Sequence, residues 1–202
     1  MPEITGDLGV LALITLLGYL LGSIPFGVLV TRAMGLADPR QIGSGNIGAT
    51  NVLRTGNKGA ALATLLLDGG KGALAVLLAR ALVGDDAAQL AAAAAFLGHL
   101  YPVWLRFRGG KGVATFLGIA LALAWPVGLA ACATWLAVAL IARLSSLAAL
   151  VAAAASVPFA WVLGAPEAML LLALMAALVL WRHRSNIARL AAGAEPRIGR
   201  KG

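Results

Sequence analysis

Residues 8–30 read LGVLALITLLGYLLGSIPFGVLV, an apolar run without one charged side chain. About 20 apolar residues in a helix, rising 1.5 Å each, cover a bilayer's hydrocarbon core of about 30 Å. The run follows acidic residues, Glu3 and Asp7, rather than a basic stretch, and it exceeds the length of a signal-peptide core, so it reads as a membrane span. The same reading carried outward gives candidate spans near 8–31, 60–82, 87–105, 112–124, 126–142, 147–163 and 167–182. The fourth is short, and Trp125-Pro126 separates it from the fifth because proline lacks a backbone donor and clashes with the preceding turn. Composition agrees: 61% of the 202 residues are hydrophobic and 12% charged, against roughly 25% charged in soluble domains. The expected fold is an all-α integral membrane protein, a bundle of seven transmembrane helices, with residues 1–202 forming one domain because the connections are too short for a linker. Cys132, in the middle of an apolar run, rules out a disulfide framework or a cysteine metal site.

Charge orients the bundle. Arg32, Arg40, Arg54 and Lys58 follow the first span; Arg106, Arg108 and Lys111 follow the third; Arg143 follows the fifth; Arg182, Arg184, Arg189, Arg197, Arg200 and Lys201 follow the seventh. Of the 16 basic residues only Lys71 and Arg80 lie elsewhere, while Glu3, Asp7, Asp85, Asp86 and Glu167 fall on the opposite side. Short loops rich in Lys and Arg stay in the cytoplasm, so the N-terminus is expected outside (periplasmic or extracellular), the C-terminus inside, and the polar loops clustered on the cytoplasmic face. The net charge of +8 is mostly this asymmetry and favours anionic lipid. Nucleic acid is not an expected partner, since no base-stacking aromatics interleave the basic residues.

Three cytoplasmic segments carry more than a connector needs. In the first, Gly43-Ser44-Gly45-Asn46-Ile47-Gly48-Ala49-Thr50-Asn51-Val52-Leu53-Arg54, glycines let backbone N–H groups approach an oxyanion, Ser44, Asn46, Thr50 and Asn51 add polar groups, and Arg54 supplies a bidentate fork for phosphate. The Gly43-x-Gly45-x-x-Gly48 spacing is no dinucleotide fingerprint, because no strand precedes it in a βαβ unit. The second segment, Gly98 to Thr115, puts Lys111 between Gly109-Gly110 and Gly112 at a helix start, where backbone donors and the helix dipole favour anions. It is no Walker motif, since Gly112 stands where Ser or Thr would be and Leu105 where a glycine would be. Tyr101 and Trp104 suit the headgroup belt. The third, Arg182-His183-Arg184-Ser185-Asn186-Ile187, sets a titratable histidine between arginines. Ser145 and Ser146 either add hydroxyls to this cluster or cap the sixth span. Asp68 and Lys71, three residues apart inside the second span, can neutralise each other at a depth where lone charges are costly. The Gly69-Gly70-Lys71-Gly72 echo of residues 109–112 has divergent flanks and is no repeat.

These three segments, in this order and on one face, resemble the motifs of the bacterial acyl-phosphate-dependent glycerol-3-phosphate acyltransferases, the PlsY family. The likeness covers nearly the whole chain. It implies transfer of a fatty acyl group from acyl phosphate to the 1-hydroxyl of glycerol 3-phosphate, giving lysophosphatidate and phosphate, at the cytoplasmic side of the bacterial inner membrane. No coenzyme A, metal or other cofactor is implied. The family's serine and arginine fall on Ser44 and Arg54, its glycines and lysine on Gly109, Gly110, Lys111 and Gly112, its histidine and asparagine on His183 and Asn186, and a following glutamate on Glu195. Asp68, Lys71, His99 and Glu195 are expected in supporting roles. Arg54, Lys111 and His183 are expected to hold phosphates, and Ser44, Asn46 and Asn186 to orient the glycerol and carbonyl, with the acyl tail between helices. The base is either substrate phosphate or His183. Neither His99 nor His183 opens a His-x-x-x-x-Asp pair, since Trp104 and Ala188 stand at the fifth positions, which favours a phosphate over a thioester donor. The rival reading is a carrier of phosphate-bearing anions, which would place its site near the membrane midplane.

Overall fold

The computed structural model describes Pro2 and residues 5–199; Glu3, Arg200 and Lys201, used above for orientation, lie outside the described residues. Among those described, the regular structure is entirely helical. Helix α1 (Leu8–Gly22) is capped by the Asp7 carboxylate, which accepts from Gly9 N at 2.9 Å and Val10 N at 3.1 Å. The first span is broken: Pro25, which has no N–H to continue the ladder, separates α1 from α2 (Phe26–Ala33). The one-turn helix α3 (Ala49–Val52) lies within the first polar loop. The long α4 (Lys58–Leu82), capped by Asn57, returns through the bundle to α5 (Asp85–Leu100). Then follow α6 (Val113–Leu123), α7 (Trp125–Ala142) opened by Pro126, α8 (Ser145–Val162), α9 (Met169–Arg182) and α10 (Arg184–Ala191).

Five segments are long and apolar enough to cross a membrane: 8–33, 58–82, 85–105, 125–142 and 145–162; a sixth arises if Pro166–Arg182 and Arg184–Ala191, bent by 63°, count together. The fourth expected span is α6, which has only 11 residues, about 16 Å of helix. Its far end is nonetheless anchored. Arg80, at the end of α4, donates to the carbonyls of Ala122 at 2.6 Å and Leu123 at 3.1 Å while its Nε bonds Asp85 at 2.8 Å. At the same end, Asp86 accepts from the N–H groups of Thr5 and Gly6 at 2.9 and 2.8 Å.

Lipid supplies little hydrophobic drive between helices, so small residues that permit close backbone approach set the packing. A methyl group on Gly22 would lie 2.0 Å from the Ala95 carbonyl oxygen, and one on Gly118 would lie 2.1 Å from that of Gly69. Helix α1 is thus locked to α5, and α6 to α4. Around them Phe96, Phe116, Ile119, Leu172 and Met175 form the main core, with Phe96 and Phe116 edge to face at 6.4 Å.

These contacts fix a comparison. Gly118→Ala should lower stability by about 2 kcal/mol through overpacking, whereas Gly70→Ala, with no atom within 4 Å of the added methyl, should be neutral or stabilise α4 by up to about 1 kcal/mol. Tryptophan fluorescence during thermal unfolding in detergent reads both; equal melting temperatures for the two variants would contradict the packing described.

Candidate active site

The first polar loop is built around Asn51. Its side chain is buried, and its amide nitrogen donates to the carbonyls of Pro39 at 2.6 Å, Asn46 at 2.8 Å and Ile42 at 3.1 Å. Its carbonyl oxygen accepts from Ser44 N at 3.1 Å and Ser44 Oγ at 3.4 Å. Asn51 was expected to touch substrate; with donors and acceptor all engaged inside the loop, it is the loop's internal frame instead. Gly43, at φ +52°, lies under Arg54: a methyl there would be 2.2 Å from Nη1. The glycine therefore makes room for the guanidinium, and both Arg54 and Ser44 remain exposed. Gly45 N bonds Ile42 O at 2.9 Å and Gly48 N bonds Asn46 Oδ1 at 3.3 Å. Those N–H groups, expected to cradle an oxyanion, close the loop on itself.

The second loop is shaped in the same way. Gly109 N and Gly110 N donate to the carbonyls of Leu100 and His99, each at 3.1 Å, so neither is available as an anion donor. Their own carbonyls accept from Arg182, Nη2 to Gly109 at 2.8 Å and Nε to Gly110 at 3.1 Å. The Arg182 guanidinium also lies over the Tyr101 ring at 5.3 Å, a cation–π arrangement. What this loop presents is Lys111, half-buried, with Gly112 at φ +85° turning the chain into α6.

The third segment and the C-terminal tail close over Lys111. Its ammonium group donates to Asn186 Oδ1. Asn186 Nδ2 donates to Glu195 Oε1 at 2.6 Å, which also accepts from Ser146 Oγ at 2.7 Å, while Oε2 takes Arg189 Nε at 2.7 Å. The tail is held down at Ile198, whose N–H donates to the Arg143 carbonyl at 2.7 Å. Ser145 Oγ meets Thr50 Oγ1 at 3.1 Å, joining the first loop to α8. Of the two readings left open for the serine pair, the structure supports hydroxyl donors: neither makes a side-chain cap.

Electrostatics sharpen the roles. Burial pushes the Lys111 ammonium down to about 8, with Arg189, Arg182 and Arg54 adding repulsion and Glu195 opposing it. Positive charge thus outweighs negative around Lys111. Burial raises the Glu195 pKa, but hydrogen bonds from Ser146, Asn186 and Arg189 outweigh it and leave it below the usual range. His183 departs from expectation. Its Nδ1 lies 2.8 Å from the Val179 carbonyl, and because a carbonyl only accepts, Nδ1 carries the proton and Nε2 keeps its lone pair. Burial lowers its pKa to about 4, and nearby Lys111 and Arg182 add to the shift. In the ligand-free protein this favours the neutral imidazole, with Nε2 as an acceptor.

Arg182, beside His183, is expected from the sequence to hold an anionic group, whereas Arg189 is legible only as a basic flank of the last span. No local signal separated their structural partners from ordinary positive-inside residues. Asp68, Lys71 and His99 lie beneath the second loop, buried together.

The fold and site define an integral membrane protein that gathers polar loops at one end of its bundle around a cluster of basic side chains. Residues 12–193 match the family described as glycerol-3-phosphate acyltransferase. A protein of Cereibacter sphaeroides bearing that name is 68% identical over 201 residues, covering 100% of both chains, and one of Roseobacter denitrificans is 63% identical over 98% of this chain and 99% of its own. The crystal structure of PlsY (YgiH), an integral membrane glycerol 3-phosphate acyltransferase, in its glycerol 3-phosphate form superposes with a TM-score of 0.89 at 39% identity, covering 95% of this chain and 96% of that one. Its lysophosphatidic acid form gives 0.88 at 38% identity, over the same shares. The chain belongs to the glycerol-3-phosphate acyltransferase family.

Because the Lys111 cation is lost as pH rises through about 8, affinity for glycerol 3-phosphate should fall above that pH. Lys111→Arg, charged to pH 12 and beyond, should bind with an affinity that stays flat from pH 7 to 9.5. Calorimetric titration on the ligand-free protein checks this; parallel pH profiles for the two proteins would refute the assignment to Lys111.

Proposed function

We propose that this chain transfers a fatty acyl group from acyl phosphate to the 1-hydroxyl of glycerol 3-phosphate, releasing lysophosphatidate and phosphate. Acylation of glycerol 3-phosphate follows from the family; the acyl phosphate donor is what the resemblance to the PlsY family implies, and the charge of the site supports it. The observation that carries it is an excess of positive charge: Arg54, Arg182 and Arg189 lie near enough to Lys111 to repel it, and the carboxylate bonded into this group is Glu195. That excess of positive charge suits phosphate-bearing substrates, whose mutual repulsion is the main obstacle to bringing them together. Once they are aligned, positioning and preorganised electrostatics supply the acceleration.

In the proposed step, the 1-hydroxyl oxygen attacks the acyl carbonyl carbon, the bond from that carbon to the phosphate oxygen breaks, and the hydroxyl proton passes to phosphate, whose second pKa lies near 6. Arg54 and Lys111 hold the phosphates, while Ser44, Asn46, Thr50 and Ser145 line the approach as hydroxyl and amide groups. His183 Nε2 accepts a hydrogen bond that orients the glycerol hydroxyl; its low basicity makes it a poor proton store, which leaves substrate phosphate as the base. Ser44 Oγ has an amide oxygen as its partner and no imidazole or carboxylate, which favours a donor over an acyl-enzyme nucleophile. The acyl tail is proposed to lie between helices, in the apolar interior of the bundle.

The proposed topology has seven crossings, N-terminus outside and C-terminus inside, with the site at the cytoplasmic face of a bacterial inner membrane. The Arg80 clamp on the end of α6 supports the short crossing, and the basic loops support the orientation. The deep Lys71–Asp68 pair, closed on itself at 2.7 Å, offers a carrier no open midplane site.

Purified protein given palmitoyl phosphate and glycerol 3-phosphate should release phosphate and lysophosphatidate in equal amounts. Arg54→Ala and Lys111→Ala should each lower kcat/KM at least about 100-fold, the loss of one preorganised charge contact. Wild-type turnover that is absent, or equal with palmitoyl coenzyme A, would overturn the donor assignment.

A further inference from the structure

Beneath the Lys111 loop lies a buried polar network that the proposed reaction does not use directly. Asp68, Lys71 and His99 are 1%, 3% and 4% exposed. Lys71 Nζ donates to Asp68 Oδ1 at 2.7 Å and to the Ile24 carbonyl at 2.7 Å, at the break between α1 and α2. Thr115 Oγ1, on α6, donates to the Asp68 backbone carbonyl at 2.9 Å. His99 Nδ1 stands 3.6 Å from Asp68 Oδ1 and has no hydrogen-bond partner. The other end of the imidazole points at the second loop: a methyl group on Gly110 would lie 2.2 Å from Nε2, and Gly110 N already donates to the His99 carbonyl. Arg182 grips the same residue from above through the Gly110 carbonyl at 3.1 Å. The backbone immediately before Lys111 is therefore held between a buried ring and a guanidinium.

A pairing of Asp68 with Lys71 alone would cancel two charges at membrane depth, but it would not require an imidazole against the substrate loop. The ring fills the volume that the missing Cβ of Gly110 leaves, and interiors pack without slack. Its Nε2 edge thus sets the height of Gly110 and, one residue on, of Lys111. We propose that His99, seated against the Asp68–Lys71 pair, is a positioning residue that fixes Gly110 and thereby aims the Lys111 ammonium group at the substrate phosphate. The proposal rests on the phosphate-binding role given to Lys111 above.

The two glycines provide the test. Gly110→Ala places its methyl against the His99 side chain, whereas Gly109→Ala places its methyl 2.2 Å from the His99 backbone carbonyl oxygen, which no side-chain change removes. Both single variants should raise KM for glycerol 3-phosphate tenfold or more. Adding His99→Ala to Gly110→Ala should recover at least fivefold of that loss, while adding it to Gly109→Ala should recover nothing. His99→Asn, which keeps an N–H facing Asp68 and vacates the Nε2 end, should rescue Gly110→Ala in the same way and serves if His99→Ala fails to accumulate. Losses that multiply in the Gly110→Ala double variants, or rescue of both glycine variants alike, would overturn the positioning role. Wild-type turnover measured beside them separates this outcome from failure of the proposed reaction.

Discussion

Like charges crowded at a partly desolvated surface repel, by roughly 4 kcal/mol for a pair 4 Å apart at an effective dielectric constant of 20. A protein that holds two phosphate-bearing substrates must assemble such a cluster before they arrive. Here Glu195 makes the assembly tolerable. Its two oxygens take Ser146, Asn186 and Arg189, and through Asn186 the carboxylate reaches Lys111. Two further features of the site follow from this one carboxylate. The C-terminal tail must fold back to deliver it, which Ile198 secures on Arg143, and α8 must begin where its second residue, Ser146, can meet it.

The glycines of the polar loops serve this arrangement differently from what their composition implies. Their N–H groups are mostly engaged within the loops, and their value is the missing side chain: Gly43 admits Arg54, and Gly110 admits His99. Glycine-rich loops are commonly read as phosphate cradles because exposed backbone donors suit anions. In this bundle the glycines bring a side-chain cation, Arg54, and the His99 ring close to the backbone.

The sequence made the span boundaries legible to within a few residues, because a membrane demands a long apolar run whatever its neighbours are. It also marked Asp68 and Lys71 as a pair, since i, i+3 spacing on one helix is local. The broken first span was legible in principle at Pro25 but is hidden in hydropathy, because Ser23 and Pro25 hardly dilute an apolar run. His183 shows the limit of a local reading. A histidine between two arginines reads as part of a cationic patch, and only burial and the Val179 carbonyl favour a neutral acceptor. Asn51 shows it for a related reason: a polar residue in a polar loop reads as a substrate contact until its partners are seen.

What the sequence determined by itself is therefore the helical membrane class, with its long apolar helices and the polar segments between them. Each of these depends on composition or on spacing within one helix or loop. The tertiary structure alone decided which groups meet: Lys111 with Asn186 75 residues away, Ser146 with Glu195 49 residues away, and the His99 ring with the space left open by Gly110. Such contacts arise where separate helices pack, and the desolvation that lowers the pKa of Lys111 and His183 exists only once those helices have closed around them.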